Sequence, residues 1–268
     1  MKISIDSHDT FVYLGKADSH AEISTGKPSI VFIHGAQLDH SCWALQSRWF
    51  AHHGFNTLAP DLPGHGLSEG EPCSSVEELS SWVCRLLDAL HLQEVYLVGH
   101  SMGSLIALDI ALKFPARIKK LILIASAVPM PVSDALLDAA KNEQSKAISM
   151  VNNFSHSSQA QMGRNTVPGM WMLGANQRLM ERQKEGVFFT DLNACNNYSL
   201  DAALLKELQV PTLIICGDED KMISAKSSRK LADQINASQL KVIKGAGHAL
   251  MSEAPDEVLA LIGEFCNK

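Results

Sequence analysis

Six short apolar runs alternate with longer stretches of helical periodicity, and that alternation leaves the chain few architectures. The runs are Ser29 to Ile33, Asn56 to Ala59, Val95 to Val98, Leu121 to Ala125, Thr212 to Cys216 and Gln239 to Ile243. Runs this short and apolar at consecutive positions suit strands covered on both faces. Between them, Val76 to Leu90 places Leu79, Val83, Leu86, Leu87 and Leu90 on one helical face. Further helices are predicted over Ser101 to Phe114, stopped by Pro115, over Ser227 to Ile235 and over Ala254 to Phe265. The class is therefore α/β, with a mostly parallel, doubly wound sheet. Ligands of such sheets gather at the carboxyl ends of the strands.

The rhythm fails between Ala127 and about Asn197. That segment lacks a strand signal, is rich in Asn, Gln and Ser, and carries Met130, Met150, Met162, Met170, Met172 and Met180. It reads as several helices inserted between two core strands. The expected division is core 1–126, insert 127–197 and core 198–268.

Composition removes several function classes. A formal charge of −6 over 268 residues gives no basic footprint for nucleic acid. No apolar run approaches a membrane span, and the first residues lack the apolar stretch of a secretory signal. The six cysteines are scattered, without C-x-x-C or zinc-type spacing, which suits reduced structural thiols in a cytoplasm. No metal or cofactor is expected.

The most specific signal is Gly99-His100-Ser101-Met102-Gly103, a G-x-S-x-G pattern between a strand and an apolar helix. A sharp strand-to-helix turn there would push the Ser101 hydroxyl out of the sheet edge and aim the unpaired N–H groups of a helix N-terminus at it. A nucleophilic Ser needs a base, and the base needs an orienting acid, in the chain order Ser, acid, His. His248 follows the strand Gln239 to Ile243 through Gly245 and Gly247. It stands out from His20, His91 and His156, which read as solvated or packed. The acid comes from Asp218, Glu219 and Asp220, three consecutive carboxylates after Gly217. Asp220 is favoured because the loop must turn back before a side chain can reach the imidazole. Two N–H donors are needed for a developing oxyanion, and Ala36 and Met102 are the candidates. His34 would then shape the first loop rather than act as base.

These pieces, together with Asp61-Leu62-Pro63-Gly64-His65-Gly66-Leu67-Ser68, resemble the α/β-hydrolase fold family of small bacterial serine esterases from about residue 30 onward. The resemblance implies a helical cap over the site from the inserted segment, a scaffold role for the Pro63-to-Gly66 turn, and the acid at the fourth position of Gly217-x-x-Asp220. Ser104 stands where many relatives have a second Gly. A Ser at the elbow, rather than an Asp, argues against dehalogenase and epoxide hydrolase chemistry. It is compatible with ester, lactone, thioester, amide and C–C hydrolysis and with perhydrolysis. A small apolar or amphipathic carboxylic ester, cleaved through an acyl-enzyme, asks least of the site. A slow-turnover small-molecule receptor is the reading from a different class. Oligomeric state is not legible.

Overall fold

The computed structural model describes residues 1–16, 23–163, 169 and 171–267. Met170 and His20 lie outside the described residues. Eight strands form one sheet in the order β1-β2-β4-β3-β5-β6-β7-β8. They are β1 Lys2–Ile5, β2 His8–Tyr13, β3 Ser29–Ile33, β4 Asn56–Pro60, β5 Val95–His100, β6 Ile118–Ile124, β7 Thr212–Gly217 and β8 Ser238–Ile243. From β4 to β8 every pairing is parallel, while β1/β2 and β2/β4 are antiparallel.

The sheet is buried because alternate residues of each strand feed opposite cores. Val31, Ile33, Leu97, Leu121 and Leu123 pack on one face, with α2 (Val76–Ala89) and α3 (Met102–Lys113) above them. Ile30, Phe32, Val98, Ile122 and Ile124 pack on the other, against Phe50 of α1 (Ala44–His52) and Val258 and Ile262 of the C-terminal helix. This period of two, apolar on both sides, is what the short runs encoded. Ser75 caps α2 by accepting from Glu78 N–H, so the helix starts where its apolar face begins.

The insert between β6 and β7 is helical, as expected. It holds α4 (Asp134–Asn142), α5 (Gln144–Ser155), α6 (Ser158–Gln161), α7 (Met172–Glu181) and α8 (Val187–Asn197). These helices have their own small apolar cluster, in which Ile148, Val151, Met180, Phe188 and Leu192 close over Leu38 of the core. The chain returns through α9 (Ala202–Glu207), and α10 (Ala225–Ala232) separates β7 from β8. A short α11 (Leu250–Glu253) and α12 (Pro255–Asn267) complete it. Among the described residues no helix is long and apolar enough to cross a membrane.

The structure adds or moves several elements. The N-terminal hairpin has no counterpart in the expected strands, although Asp6 and Ser7 both adopt positive φ in its two-residue turn. The helix α1 is hidden in the sequence because its buried face includes Gln46 and Ser47. Ser101 is the N-cap of α3 rather than its first residue. The expected helix from Ser227 begins two residues earlier, because Ser224 caps it by accepting from Ser227 N–H.

The weight carried by β5 is testable. Leu97 is fully buried at the centre of the sheet. Leu97→Ala should lower the unfolding free energy by about 2–5 kcal/mol. The expected reading is a lower urea midpoint with an unchanged slope.

Candidate active site

The elbow between β5 and α3 is tightly constrained. Ser101 sits at φ 53° and ψ −120°, a backbone conformation costly for any residue with a Cβ. Its N–H donates to Ile124 O on β6 at 3.0 Å, and its carbonyl accepts from Ser104 N–H at 2.8 Å. A Cβ at Gly99 would collide with the Gly103 carbonyl, and one at Gly103 with the carbonyls of Ile33 and His34. Strand and helix can approach this closely only with glycine at both positions. Ser104 closes the turn with its hydroxyl, 2.6 Å from Ser101 O and 2.8 Å from Ser126 Oγ.

The loops after β7 and β8 bring the acid and the imidazole together. Asp220 Oδ2 lies 2.8 Å from His248 Nδ1, and both residues are buried. The other Asp220 oxygen accepts from Met222 and Ile223 N–H groups, each at 2.8 Å, which fixes the carboxylate plane. The neighbouring carboxylates have other partners. Asp218 accepts from Gly245 N–H at 2.6 Å, and Glu219 accepts from Ser158 N–H at 2.9 Å. Ser101 and His248 line one cavity of about 830 Å³. Their side chains are not hydrogen-bonded to each other here; in ligand-free hydrolytic sites such contacts are often long and tighten with substrate.

The first loop reaches the same place. A Cβ on Gly35 would lie 3.3 Å from Ser101 Cβ, so the turn after β3 runs directly beside the elbow. Among the described residues no acceptor takes the N–H of Ala36 or of Met102. Ala36 lines the cavity, and Met102 follows Ser101 at the start of α3. His34 is fully buried; its Nδ1 contacts Gly35 O at 2.9 Å and its Nε2 accepts from Leu62 N–H at 3.1 Å. Burial, then the nearby His65, lowers its pKa to about 4, so it is neutral and shapes the loop.

Residues 28–255 match the family described as the alpha/beta hydrolase fold. This chain belongs to that family. Two similar hydrolases come from pseudomonads. A 2-hydroxy-6-oxo-2,4-heptadienoate hydrolase of Pseudomonas putida is 27% identical, over 91% of this chain and 90% of its own. A 2-hydroxymuconate semialdehyde hydrolase of a Pseudomonas species is 30% identical, over 78% and 75%. Among solved structures, a thermophilic esterase is 25% identical with a TM-score of 0.81, covering 100% of this chain and 96% of that one.

The α/β-hydrolase cavity is walled mostly by apolar side chains of the insert and the loops, among them Leu38, Leu136, Val151, Phe188, Leu192 and Ile223. Of the insert's methionines, Met130, Met172 and Met180 reach the cavity. Met150 packs on the helical cluster, and Met162 is exposed. Among the described residues Arg178, Arg182 and Lys221 line the cavity, and the two arginines are paired. Arg182 donates to Asp39 at 2.7 and 2.8 Å, and Arg178 pairs with Glu181 at 2.7 Å. Asp39, His40 and Asp61 also bring ligand-type atoms within 4.8 Å of one another. Their contacts are internal: Arg182 and Gln183 hold Asp39, while Asp61 accepts from the His40 and Leu67 N–H groups.

Sequence reasoning missed the polar residues that tie the inserted helices to both loops of the site. Ser155 O, at the end of α5, accepts from the N–H groups of His248 at 2.8 Å and Ala249 at 3.0 Å. Glu253 spans the same seam, accepting from Gly247 N–H at 3.1 Å and Ser157 N–H at 2.9 Å. A spacing of nearly a hundred residues leaves no local signal for such contacts. The one available hint was Gly247, where a Cβ would lie 2.7 Å from Ser155 O and 2.8 Å from Ser157 N. Gly247→Ala should therefore push the His248 loop off the insert. Misplacement of this kind costs up to about 10²-fold in rate, so turnover should fall far more than the melting temperature. Active-site-normalised kinetics beside a thermal melt make the comparison.

Proposed function

We propose that the protein is a serine hydrolase of small carboxylic esters, with Ser101 as nucleophile, His248 as base, Asp220 as orienting acid, and Ala36 and Met102 N–H groups as the oxyanion hole. The reading rests on one observation above others. A Ser in a positive-φ elbow faces the same apolar cavity as a His whose far nitrogen is held 2.8 Å from a buried carboxylate. That arrangement suits acyl transfer. Ser101 Oγ attacks the acyl carbon and gives its proton to His248 Nε2, while Asp220 stabilises the imidazolium. The two N–H groups take the charge that develops on the carbonyl oxygen. His248 then protonates the leaving alcohol, and water repeats the sequence on the acyl-enzyme.

The insert 127–197 acts as the cap that gives the cavity its apolar character, and three Met side chains let it repack around acyl groups of different length. The substrate is thus a small apolar or amphipathic ester, and the six unpaired thiols suit a cytoplasmic home. No metal or cofactor is required by this scheme. C–C hydrolysis on the same triad is the second reading, favoured by the two pseudomonad relatives. A dienoate would bring a carboxylate into the cavity, where Arg182 is bound to Asp39 and Lys221 also lines the wall.

A fluorophosphonate should add one adduct to the intact mass, at Ser101, and Ser101→Ala should neither label nor hydrolyse a p-nitrophenyl ester. Full turnover in Ser101→Ala would reject the scheme. Asp220→Asn keeps the shape but permits the wrong imidazole tautomer, a change worth about 10⁴ in rate in a well-studied triad. Asp218→Asn and Glu219→Gln should lose less than about tenfold, since neither meets the reacting groups. A panel of ester lengths against a hydroxy-oxo-dienoate separates the two readings.

A further inference from the structure

The turn that carries Ala36 is built under strain, and the group holding it belongs to the inserted helices. Gln37, the next residue, is fully buried at φ 57°, in the left-handed region. A side-chain-bearing residue persists there only when its surroundings fix it. Two contacts do so, and both come from the insert. Gln37 N–H donates to Asp191 Oδ2 on α8 at 2.8 Å, and Gln37 Nε2 donates to Met180 O on α7 at 3.0 Å.

Asp191 itself is almost fully buried, and a carboxylate there needs a counter-charge. His65, in the Pro63-to-Gly66 turn, supplies it. His65 Nε2 lies 2.9 Å from Asp191 Oδ2, and His65 Nδ1 lies 2.9 Å from Pro63 O. Pro63 O only accepts, as does an ionised Asp191, so with that carboxylate ionised both ring nitrogens carry protons. The geometry then requires an imidazolium. The electrostatics agree in direction: burial alone would lower the His65 pKa, but the Asp191 charge and hydrogen bond outweigh it and raise the value. The other ionisable groups around the pair are Asp61, whose charge also favours the imidazolium, neutral His34 with its ring 4.9 Å away, and the Cys73 and Cys195 thiols near Asp191.

We propose that Asp191 is a positioning residue for the oxyanion loop, with protonated His65 as its counter-ion. The pair sets the Gly35–Gln37 turn so that Ala36 N–H faces the acyl oxygen. This rests on the assignment of Ala36 to the oxyanion hole. It gives His65 a role beyond the scaffold turn and makes the seat of α8 a condition for catalysis. Because Asp191 raises the native His65 pKa above its unfolded value of about 6.5, the stabilisation is fully present below that pH. It is lost as pH rises through the native value.

Four measurements on the full-length protein test it. The ring nitrogens of His65 in the unsubstituted protein should both be protonated near pH 7 by ¹⁵N NMR; a neutral ring overturns the proposal without any variant. In Asp191→Asn, hydrogen exchange of the Gln37 amide should accelerate at least about tenfold while the elbow amides stay protected; unchanged exchange overturns it. On a p-nitrophenyl ester, kcat of active-site-titrated Asp191→Asn should fall roughly 10–100-fold, part of the 10²–10³ that losing an oxyanion donor costs, with KM within about threefold. A trifluoromethyl ketone, which forms a tetrahedral adduct, should weaken by the same factor. A merely structural role would lower the melting temperature and leave titrated kcat intact, and that result also overturns the proposal. Failure of the unsubstituted protein to turn over any ester would reject the ester-hydrolase reading, while the two spectroscopic measurements would still decide the clamp.

Discussion

Everything near the cavity depends on one backbone conformation, the positive φ of Ser101. It survives because glycines at 99 and 103 let β5 and α3 close on it, and because β6 accepts its N–H through Ile124 O. The strain is local, but its support is the whole centre of the sheet. β3 passes its carbonyls against Gly103, β5 delivers the chain, and β6 holds the turn from the other side. The doubly wound order therefore explains more than packing. It puts three strand ends side by side, so that one residue can be held where a free chain would rarely hold it.

Around that fixed point the inserted helices are hydrogen-bonded to the loops that line the cavity. Ser155 O and Glu253 join them to the His248 loop. Asp191, Met180 O, Arg182 and Gln183 join them to the loop from Gln37 to Asp39 and to the turn at Gly66. Buried polar groups cost desolvation unless they are paired, and several buried pairings here run between the insert and the core. An apolar seam of the same shape would slide more easily. Directional hydrogen bonds fix the register between helices and loops.

The residues at the ends of strands were legible in the sequence because local constraints mark them. Ser101 is framed by glycines and by a strand-to-helix switch. His248 follows a strand and two glycines, and Asp220 follows Gly217 at the length a returning loop needs. The sheet was legible for a similar reason: consecutive apolar residues, such as Ile30 to Ile33, have few other uses. What escaped is polar and distant. Asp191 meets Gln37 across more than a hundred and fifty residues, and nothing near either position announces it. The helix α1 escaped because its inward face carries Gln46, whose amide donates to Met251 O at 2.9 Å. The N-terminal hairpin escaped because only part of each strand is buried against the sheet edge.

The double acceptance at Ser155 O has a consequence for anyone recombining such proteins. A specificity module grafted from a relative would normally be cut at the two points where the chain leaves and re-enters the sheet, near residues 127 and 197. Here those cuts would carry away the carbonyl that seats the imidazole loop and the carboxylate that seats Gln37. A chimaera of that kind would inherit the donor's pocket but misalign the recipient's chemistry, unless the donor brought matching groups at both places. The separable unit is therefore larger than the insert, and runs through the segments from Gln37 to Gly66 and from Gly247 to Glu253.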